Sequence, residues 1–220
     1  FQASIRAFKD DEKLQHEGPY YNLSYLPKQW APPRHDYEDI KVDISAVGPY
    51  MCQVAGELCD GVHVHPMHSI PYLVNRLRPA LLKGAQKAGR AATDIDLIVP
   101  VFAIAGDTPE ERARLVARAK TQVAFYGSTP NYAFQFDDLG YVGTTAKLGA
   151  FMKAGDMAAM SETITEEMLE HFAVVASWDD MADRLIDRYA GFAARLVMYL
   201  TLDDIKANPQ NLARWREIAQ

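Results

Sequence analysis

The chain has little cysteine, no excess of positive charge and no long apolar run. Its two cysteines, Cys52 and Cys59, are seven residues apart in one predicted helix, so we expect free, buried thiols in a reducing cytoplasm rather than a disulfide framework. The net charge of −6 argues against a general nucleic-acid binder. No apolar run approaches the roughly 20 residues of a membrane span, and we expect no membrane partner.

The sequence also lacks a recognisable beginning. Phe1 stands where an initiator methionine is expected, and Ile5 and Phe8 already have helical spacing without an N-cap before them. The charged and apolar regions of a signal peptide are missing in their usual order. We interpret the first residues as the remnant of a helix over 1–10, and we expect an N-terminal part to be absent.

Three apolar segments alternate with helical ones. We predict strands at 40–46, 61–65 and 96–105, and helices at 49–58, 70–88 and from 109 to about 125. Thr108-Pro-Glu-Glu111 has the pattern of a capping box. Short turns between the elements indicate right-handed parallel crossovers, which fit part of a (β/α)8 barrel or the edge of an open sheet. The chain beyond 132 is predicted to be helical, with its best segments at 157–160, 166–172 and 177–190.

The segment from Val42 to Pro66 carries the strongest functional signal. Gly48-Pro49 stands between a strand and a helix, where unpaired N–H groups and the helix dipole favour a phosphate. The alternative is that Gly-Pro only makes a tight turn. No basic partner for a phosphate is obvious nearby, so backbone donors would carry most of the binding.

The second predicted strand ends in two histidines, His63 and His65, and His68 follows it. His63 and His65 are two residues apart, so on a strand both point to one face. A zinc site usually has further ligands at recognisable spacing, and none is seen, so we predict no metal. Polar groups that face substrate at the barrel mouth, and structural histidines with satisfied hydrogen bonds, both fit. A general-base role for His63 is chemically possible, with only its position in support.

Two aromatic segments have both structural and functional interpretations. The residues from Tyr126 to Tyr132 could wall a substrate pocket, but a helix end stabilised by Ser128 and Thr129 and packed tyrosines is favoured. The segment from 11 to 37 is rich in proline and aromatic residues and predicts an ordered excursion. Its aromatic run could be a lid, an oligomer contact or local packing: Tyr20, Tyr21, Tyr25 and Trp30.

Several motifs follow one another along the chain: Ala46-Val-Gly-Pro-Tyr-Met51, Ala55-Gly-Glu-Leu-Cys-Asp-Gly-Val-His-Val-His-Pro-Met-His-Ser69, Phe125-Tyr-Gly-Ser-Thr-Pro-Asn-Tyr132 and Asp179-Asp-Met-Ala-Asp-Arg-Leu-Ile-Asp-Arg-Tyr189. Their order resembles the luciferase-like monooxygenase family, and most closely its coenzyme F420-dependent oxidoreductases. The resemblance extends from Glu17-Gly-Pro-Tyr-Tyr21 to about Tyr199. It implies an α/β fold, a (β/α)8 TIM barrel. Residues 1–220 would be a single domain covering about strands six to eight and the C-terminal helices.

The resemblance also implies a cofactor, either coenzyme F420 or FMN. Ala46, Val47, Gly48 and Pro49 would contact its phosphate or side chain, and Asp60-Gly61 would lie near the same mouth. His63 and His65 would face a small-molecule substrate. The catalytic side chains of the family lie mostly on earlier strands, so none can be assigned here. A homo-oligomer is expected.

Two functions from different classes remain open at this point. The first is a flavin- or deazaflavin-dependent oxidoreductase or monooxygenase, in which the cofactor supplies the chemistry and the protein orients it. The second is a non-catalytic flavin-binding or structural chain that needs partner strands, since three barrel strands alone leave exposed edges.

Overall fold

The structure, a computed structural model, describes residues 1–9, 12–30 and 40–220. Its contacts divide into two units, Phe1–Lys41 and Val42–Gln220. In the first unit, α1 (Gln2–Lys9) confirms the predicted helix over its described residues, and β1 (His16–Glu17) pairs antiparallel with β2 (Asn22–Leu23). A 3₁₀ turn covers Lys28–Trp30.

The aromatic run of this unit is exposed: Tyr20, Tyr21, Tyr25 and Trp30. Its roles as a lid or an oligomer contact stay predictions. Residues 10, 11 and 31–39 of the predicted elements lie outside the described residues. The expected single domain also stays a prediction.

The second unit is built on a parallel sheet, as the alternating pattern predicted. The order β3-β4-β5-β6 is continuous, β7 also pairs with β5, and every pairing is parallel. The strands are β3 (Asp43–Ser45), β4 (Gly61–His63), β5 (Asp96–Ala105), β6 (Ala173–Ala176) and β7 (Arg195–Tyr199).

Helices follow or connect these strands. A π-helix at Leu73–Leu77 joins α3 to α4, and 3₁₀ turns cover Ala92–Asp94 and Pro130–Tyr132. The α-helices are α2 (Pro49–Leu58), α3 (Ile70–Tyr72), α4 (Arg78–Lys87), α5 (Pro109–Gly127), α6 (Ala133–Asp137), α7 (Thr144–Ala154), α8 (Met157–Thr163), α9 (Glu166–Glu170), α10 (Met181–Tyr189), α11 (Thr201–Ala207) and α12 (Asn211–Ile218). Among the described residues, none of the helices has both the length and the apolarity to span a membrane.

Local signals account for several of the helix starts. The Thr108 hydroxyl accepts a hydrogen bond from the Glu111 N–H, and the Glu111 carboxylate accepts one from the Asp107 N–H. These bonds satisfy donors that have no partner inside the helix. Ahead of α10, the Ser177 hydroxyl accepts from the Asp180 N–H and lies 2.7 Å from its carboxylate. The predicted capping box of α5 is therefore present.

The prediction that the chain beyond 132 is helical was wrong at two places, β6 and β7. Ala173-Val-Val-Ala176 is a run of only four residues, too short for periodicity to separate strand from helix. Arg195–Tyr199 also has few β-branched residues. Both strands exist because β5 offers them a partner, which is a tertiary effect.

The long strand β5 separates two buried clusters of side chains. Val99, Val101 and Ala103 belong to a cluster with residues of α2, α4 and α10. Phe102 and Ile104, which point the other way, belong to a cluster with residues of α5 to α9. Alternate residues of a strand face opposite sides, so β5 has to be apolar on both faces, as its sequence predicted.

The outer helices α2 and α4 pack with their backbones in close contact. A Cβ placed on Gly84 would lie 2.0 Å from the Gln53 carbonyl oxygen, and one placed on Gly56 would lie 2.1 Å from the Leu81 carbonyl oxygen. Such distances leave no room for a methyl group, and the atoms met are backbone atoms that cannot rotate away. The two glycines therefore fix the distance between these helices.

We expect Gly84→Ala to lower the free energy of unfolding by about 2 kcal/mol, because the new methyl group would overpack the helix contact. Gly149→Ala in α7 is the matched control, since its Cβ would lie at an ordinary 3.6 Å from the Ser128 carbonyl oxygen. That variant should gain about 0.5 kcal/mol from helix propensity. Urea unfolding of both variants measures the difference. Equal effects of the two changes would contradict the close contact.

Candidate functional site

Three chain segments leave the carboxyl ends of neighbouring parallel strands. They leave β3 at Ala46, β4 at Val64 and β5 at Gly106. Residues 106–172 form the helices from α5 to α9, which pack against the carboxyl-terminal end of β5. Parallel α/β sheets place their functional sites at this edge, so it is the candidate site.

The loop from β3 to α2 presents an uncapped helix start. Gly48 is the N-cap with φ −75° and ψ 154°, no side chain caps the helix, and Pro49 occupies the first turn. Gly48, Pro49 and Tyr50 are exposed, while Ala46 is buried. A Cβ on Gly48 would meet nothing within 4 Å. The first-turn N–H groups of α2 have no helical acceptor and are open to an anionic group.

A hydrogen bond from the Tyr72 side chain anchors this loop. Its hydroxyl donates to the Val47 carbonyl oxygen at 2.8 Å, and its side chain is buried. Burial, followed by the neighbouring Cys52, raises the pKa of Tyr72 far above the usual range. Burial likewise raises the pKa of the Cys52 thiol to about 11. Both groups therefore stay neutral at physiological pH. This contact was not predictable from the sequence, because it joins residues 25 positions apart.

Asp60 and Gly61 do not lie at this mouth, and their expected location was wrong. Gly61 begins β4 and pairs with Asp43 and Asp96 at the opposite edge of the sheet. The Asp60 carboxylate accepts a hydrogen bond from the Val42 N–H at 2.7 Å, and its carbonyl oxygen accepts from the Asp96 N–H. Both residues therefore organise the amino-terminal strand starts. Their nearness to His63 in sequence concealed the direction of the strand.

His63 and His65 occupy different environments. His63 ends β4 with a half-exposed side chain, and its Nε2 lies 3.6 Å from the Asp43 carboxylate. His65 lies beyond the strand, so strand alternation does not give it the face of His63. Its ring packs between Tyr126 at 4.6 Å and Tyr132 at 4.7 Å between centroids. Their substrate-facing role stays a prediction.

The protonation of His65 is fixed by its surroundings. Its Nδ1 accepts a hydrogen bond from the Met67 N–H at 3.1 Å, so in the neutral ring Nε2 carries the proton. Burial lowers the pKa of His65. A neutral imidazole between two tyrosines is therefore the state at neutral pH.

His68 is structural. It is fully buried, with Nδ1 2.9 Å from the His65 carbonyl oxygen and Nε2 3.0 Å from the Tyr189 hydroxyl. Both ring nitrogens therefore have partners. Burial lowers the pKa of His68 to about 4, which keeps it neutral. Within residues 1–9, 12–30 and 40–220, no three His, Cys, Asp or Glu side chains are grouped as a metal site would require.

The end of α5 has features of both interpretations of its sequence, the stabilised helix end and the pocket wall. The Ser128 hydroxyl donates to the Phe125 carbonyl oxygen at 2.7 Å, which is the favoured helix-end role. Tyr126 and Tyr132 face His65 instead, and the Tyr126 hydroxyl lies 3.1 Å from that of Tyr199 on β7. Burial raises the pKa of Tyr126 to about 12. The mouth thus has an aromatic wall formed by His65, Tyr126 and Tyr132.

Comparison with known proteins gives the family. A family model described as luciferase-like monooxygenase matches residues 2–195, and the chain belongs to this family. An uncharacterized protein of Mycobacterium tuberculosis is 34% identical over 201 residues, which cover 90% of this chain and 59% of that protein. A 5,10-methylenetetrahydromethanopterin reductase of Archaeoglobus fulgidus is 25% identical, over 82% of this chain and 53% of that protein.

Solved structures give the fold. The coenzyme F420 dependent tetrahydromethanopterin reductase of Methanopyrus kandleri superposes with a TM-score of 0.67 at 20% identity, over 91% of this chain and 56% of that chain. Other proteins of this fold are described with coenzyme F420 or with a modified FMN. The chain therefore has the α/β fold of the luciferase-like barrels and spans little more than half the length of these relatives.

We expect acid to destabilise the protein through His68. Its pKa is about 4 in the folded state against 6.5 as the ordinary value, so between these values the unfolded chain binds the extra proton. The stabilisation is complete above pH 6.5 and falls by about 3 kcal/mol as the pH drops toward 4. Urea unfolding across this range measures it.

His68→Gln should be less stable at neutral pH but should lose this part of the pH dependence. His16→Gln is the control, because His16 lies exposed on β1 and should keep the slope of the original protein. An unchanged slope in His68→Gln would assign the acid sensitivity to other groups.

Proposed function

We propose that the protein is an oxidoreductase that uses a deazaflavin, coenzyme F420, or the flavin FMN, and acts on a small organic substrate. Family membership supports the reaction class, and neighbouring structures described with coenzyme F420 or a modified FMN support the cofactor. The observation that carries the proposal is the open helix start at Gly48, at the edge where barrel enzymes bind their ligands.

The residues of this edge fit a phosphate-bearing cofactor. Both candidate cofactors carry a phosphate on a flexible chain. The first-turn N–H groups of α2 and the positive end of its dipole favour such a group. Ala46, Val47, Gly48 and Pro49 would form the contact, and Gly48 leaves space because it has no side chain. Asp60 and Gly61 are not part of it, since they lie at the opposite strand ends.

The chain's own residues have three tasks in this proposal. The bound cofactor would supply hydride transfer or oxygen activation at its ring. Tyr72 holds the Val47 carbonyl and so fixes the loop that binds the phosphate. His65, Tyr126 and Tyr132 form an aromatic wall that orients a substrate and excludes water. His63 would face the substrate from the end of β4.

Gly48→Asp provides the test of the phosphate contact. The backbone angles of Gly48 suit any residue before proline, and an aspartate at the N-cap should stabilise α2 by about 0.5 kcal/mol. The same carboxylate would repel a phosphate. We expect FMN or coenzyme F420 to bind at least about tenfold more weakly, equivalent to about 1.4 kcal/mol, as measured by fluorescence titration of the intact protein.

Gly48→Asn is the matched control, because it caps the helix without a charge and should bind far better than Gly48→Asp. Riboflavin, which lacks the phosphate of FMN, should bind both variants equally. Equal FMN affinity of the two variants would place the phosphate elsewhere. Tight cofactor binding without any turnover would favour the non-catalytic alternative.

A further inference from the structure

We propose that Asp43, Gly61 and His63 form a proton-transfer site inside the barrel, in which His63 takes a proton from the substrate and Asp43 positions the His63 ring. This inference rests on the proposed oxidoreductase function. It assigns a role to Asp43 and Gly61 that the sequence did not suggest. Three observations carry it: the face on which these residues lie, the space that Gly61 leaves, and the direction of the His63 ring.

Helices cover one face of the sheet. Over most of the sheet's width, the described part of the chain places no helix on the other face. Ile44, Val62, Val99, Leu196 and Met198 lie in or against the cluster formed with α2, α4 and α10. The opposite face carries residues in register across the strands, since Ser45 pairs with His63, His63 with Ile98, and Ile98 with Arg195. In a (β/α)8 barrel the helices lie outside, so the opposite face is the interior.

The part of this interior face at β3, the end of β4 and the start of β7 is polar, beside the apolar Ile98 and Val197. Asp43, Ser45, His63 and Arg195 are exposed on it in the described part of the chain, whereas barrel interiors are filled chiefly by branched apolar side chains. Once a barrel closes, unsatisfied polar groups in it cost free energy. Their presence is therefore expected where they serve a ligand or a reaction.

Gly61 makes room for the carboxylate. A Cβ on Gly61 would lie 2.6 Å from the Asp43 Oδ1 and 3.0 Å from its Cγ. The Asp43 side chain therefore lies directly over the glycine, in the volume that any other residue would fill. From there its Oδ2 lies 3.6 Å from the His63 Nε2. Gly61 is thus the reason that a carboxylate on β3 can approach an imidazole two positions further along β4.

The approach fixes which ring nitrogen meets the substrate. A carboxylate beside Nε2 favours the tautomer with its proton on Nε2, and Nδ1 is then the proton acceptor. The distance of 3.6 Å is an electrostatic contact rather than a hydrogen bond. Such contacts commonly shorten when substrate binds. The half-exposed His63 at the mouth end of β4 can reach a substrate, while Asp43 lies behind it.

The corresponding reaction is the removal of a hydride and a proton from one substrate. The bound cofactor, in its oxidised form, would accept the hydride, which leaves the reacting carbon with the electron pair of the broken C–H bond. The O–H or N–H bond on the same carbon breaks, and His63 Nδ1 takes the proton. A carbon–oxygen or carbon–nitrogen double bond forms, and His63 then releases the proton to water. The substrate is therefore an alcohol or an amine.

The tautomer is tested without any cofactor. In the intact protein at a pH where His63 is neutral, ¹⁵N NMR of the imidazole nitrogens should show the proton mainly on Nε2. Asp43→Asn removes the charge at nearly constant shape, and Gly61→Ala displaces the carboxylate. Both should move the population toward a mixture of tautomers, while Gly149→Ala should not. An identical tautomer in every variant would overturn the positioning role of Asp43.

Turnover is tested with the cofactor-loaded protein and two probes, cyclohexanol and cyclohexylamine. We expect His63→Gln to lower kcat about a hundredfold, the usual size of a general-base effect. Asp43→Asn and Gly61→Ala should lower kcat about tenfold with KM little changed, because they act through the ring. His16→Gln should retain activity. Cofactor affinity should stay unchanged in all of them.

The outcomes separate this site from the proposed function. Loss of cofactor binding in the original protein would refute the oxidoreductase itself. Normal cofactor binding with no turnover of either probe would overturn the alcohol or amine assignment. Turnover that is unaffected by His63→Gln would overturn the proton-transfer role of His63 and leave the oxidoreductase intact.

Discussion

The fold depends on the pairing and burial of a single strand, β5. Its start pairs with β4, its middle with β7 and its end with β6. Its alternate side chains enter two different clusters, one with the helices behind the sheet and one with α5 to α9. Almost every residue of Asp96–Ala105 is buried. Such a strand has to be apolar throughout, and its neighbours can then be short, because β5 supplies most of the apolar surface they share.

The length of β5 also determines the shape of the candidate site. The strand continues to Ala105, whereas β4 pairs with it only as far as Ile98. The carboxyl-terminal end of β5 therefore projects beyond β4 and supports the helices of residues 106–172. Through this support, Phe102 packs against Tyr199, Tyr199 contacts Tyr126, and Tyr126 packs against His65. The aromatic wall is thus attached to the strand that organises the sheet.

Strong local signals made parts of the fold predictable. The bounds of α2 and β5 follow from Pro49 at a helix start and from ten nearly continuous apolar residues. The strands β6 and β7 could not be found in this way, because short segments become strands only beside a partner. The barrel family was recognisable from the order of its motifs, although no single motif was specific.

The candidate site was less predictable than the fold, for a geometric reason. Gly48 was identified correctly as a helix start because the relevant residues are adjacent in sequence. Tyr72 and Asp43 were missed because their contacts, to Val47 and His63, join residues about 20 positions apart or more. Asp60 and Gly61 were misplaced because sequence distance gives no information on which end of a strand a residue occupies.

The two faces of the sheet differ in their residues, since one face is closely packed and the other carries polar side chains. On the helix side, close packing selects small and branched apolar residues such as Val62 and Val99, which are fully buried. On the other side, Asp43 and His63 contribute little to packing, and Gly61 contributes a space in place of a side chain. Stability alone would favour an apolar residue at each of these positions, since unpaired polar groups in an enclosed interior are costly. The same alternation that buries one face of β4 therefore leaves its other face available for chemistry, and the glycine that weakens the strand allows the carboxylate to approach the imidazole.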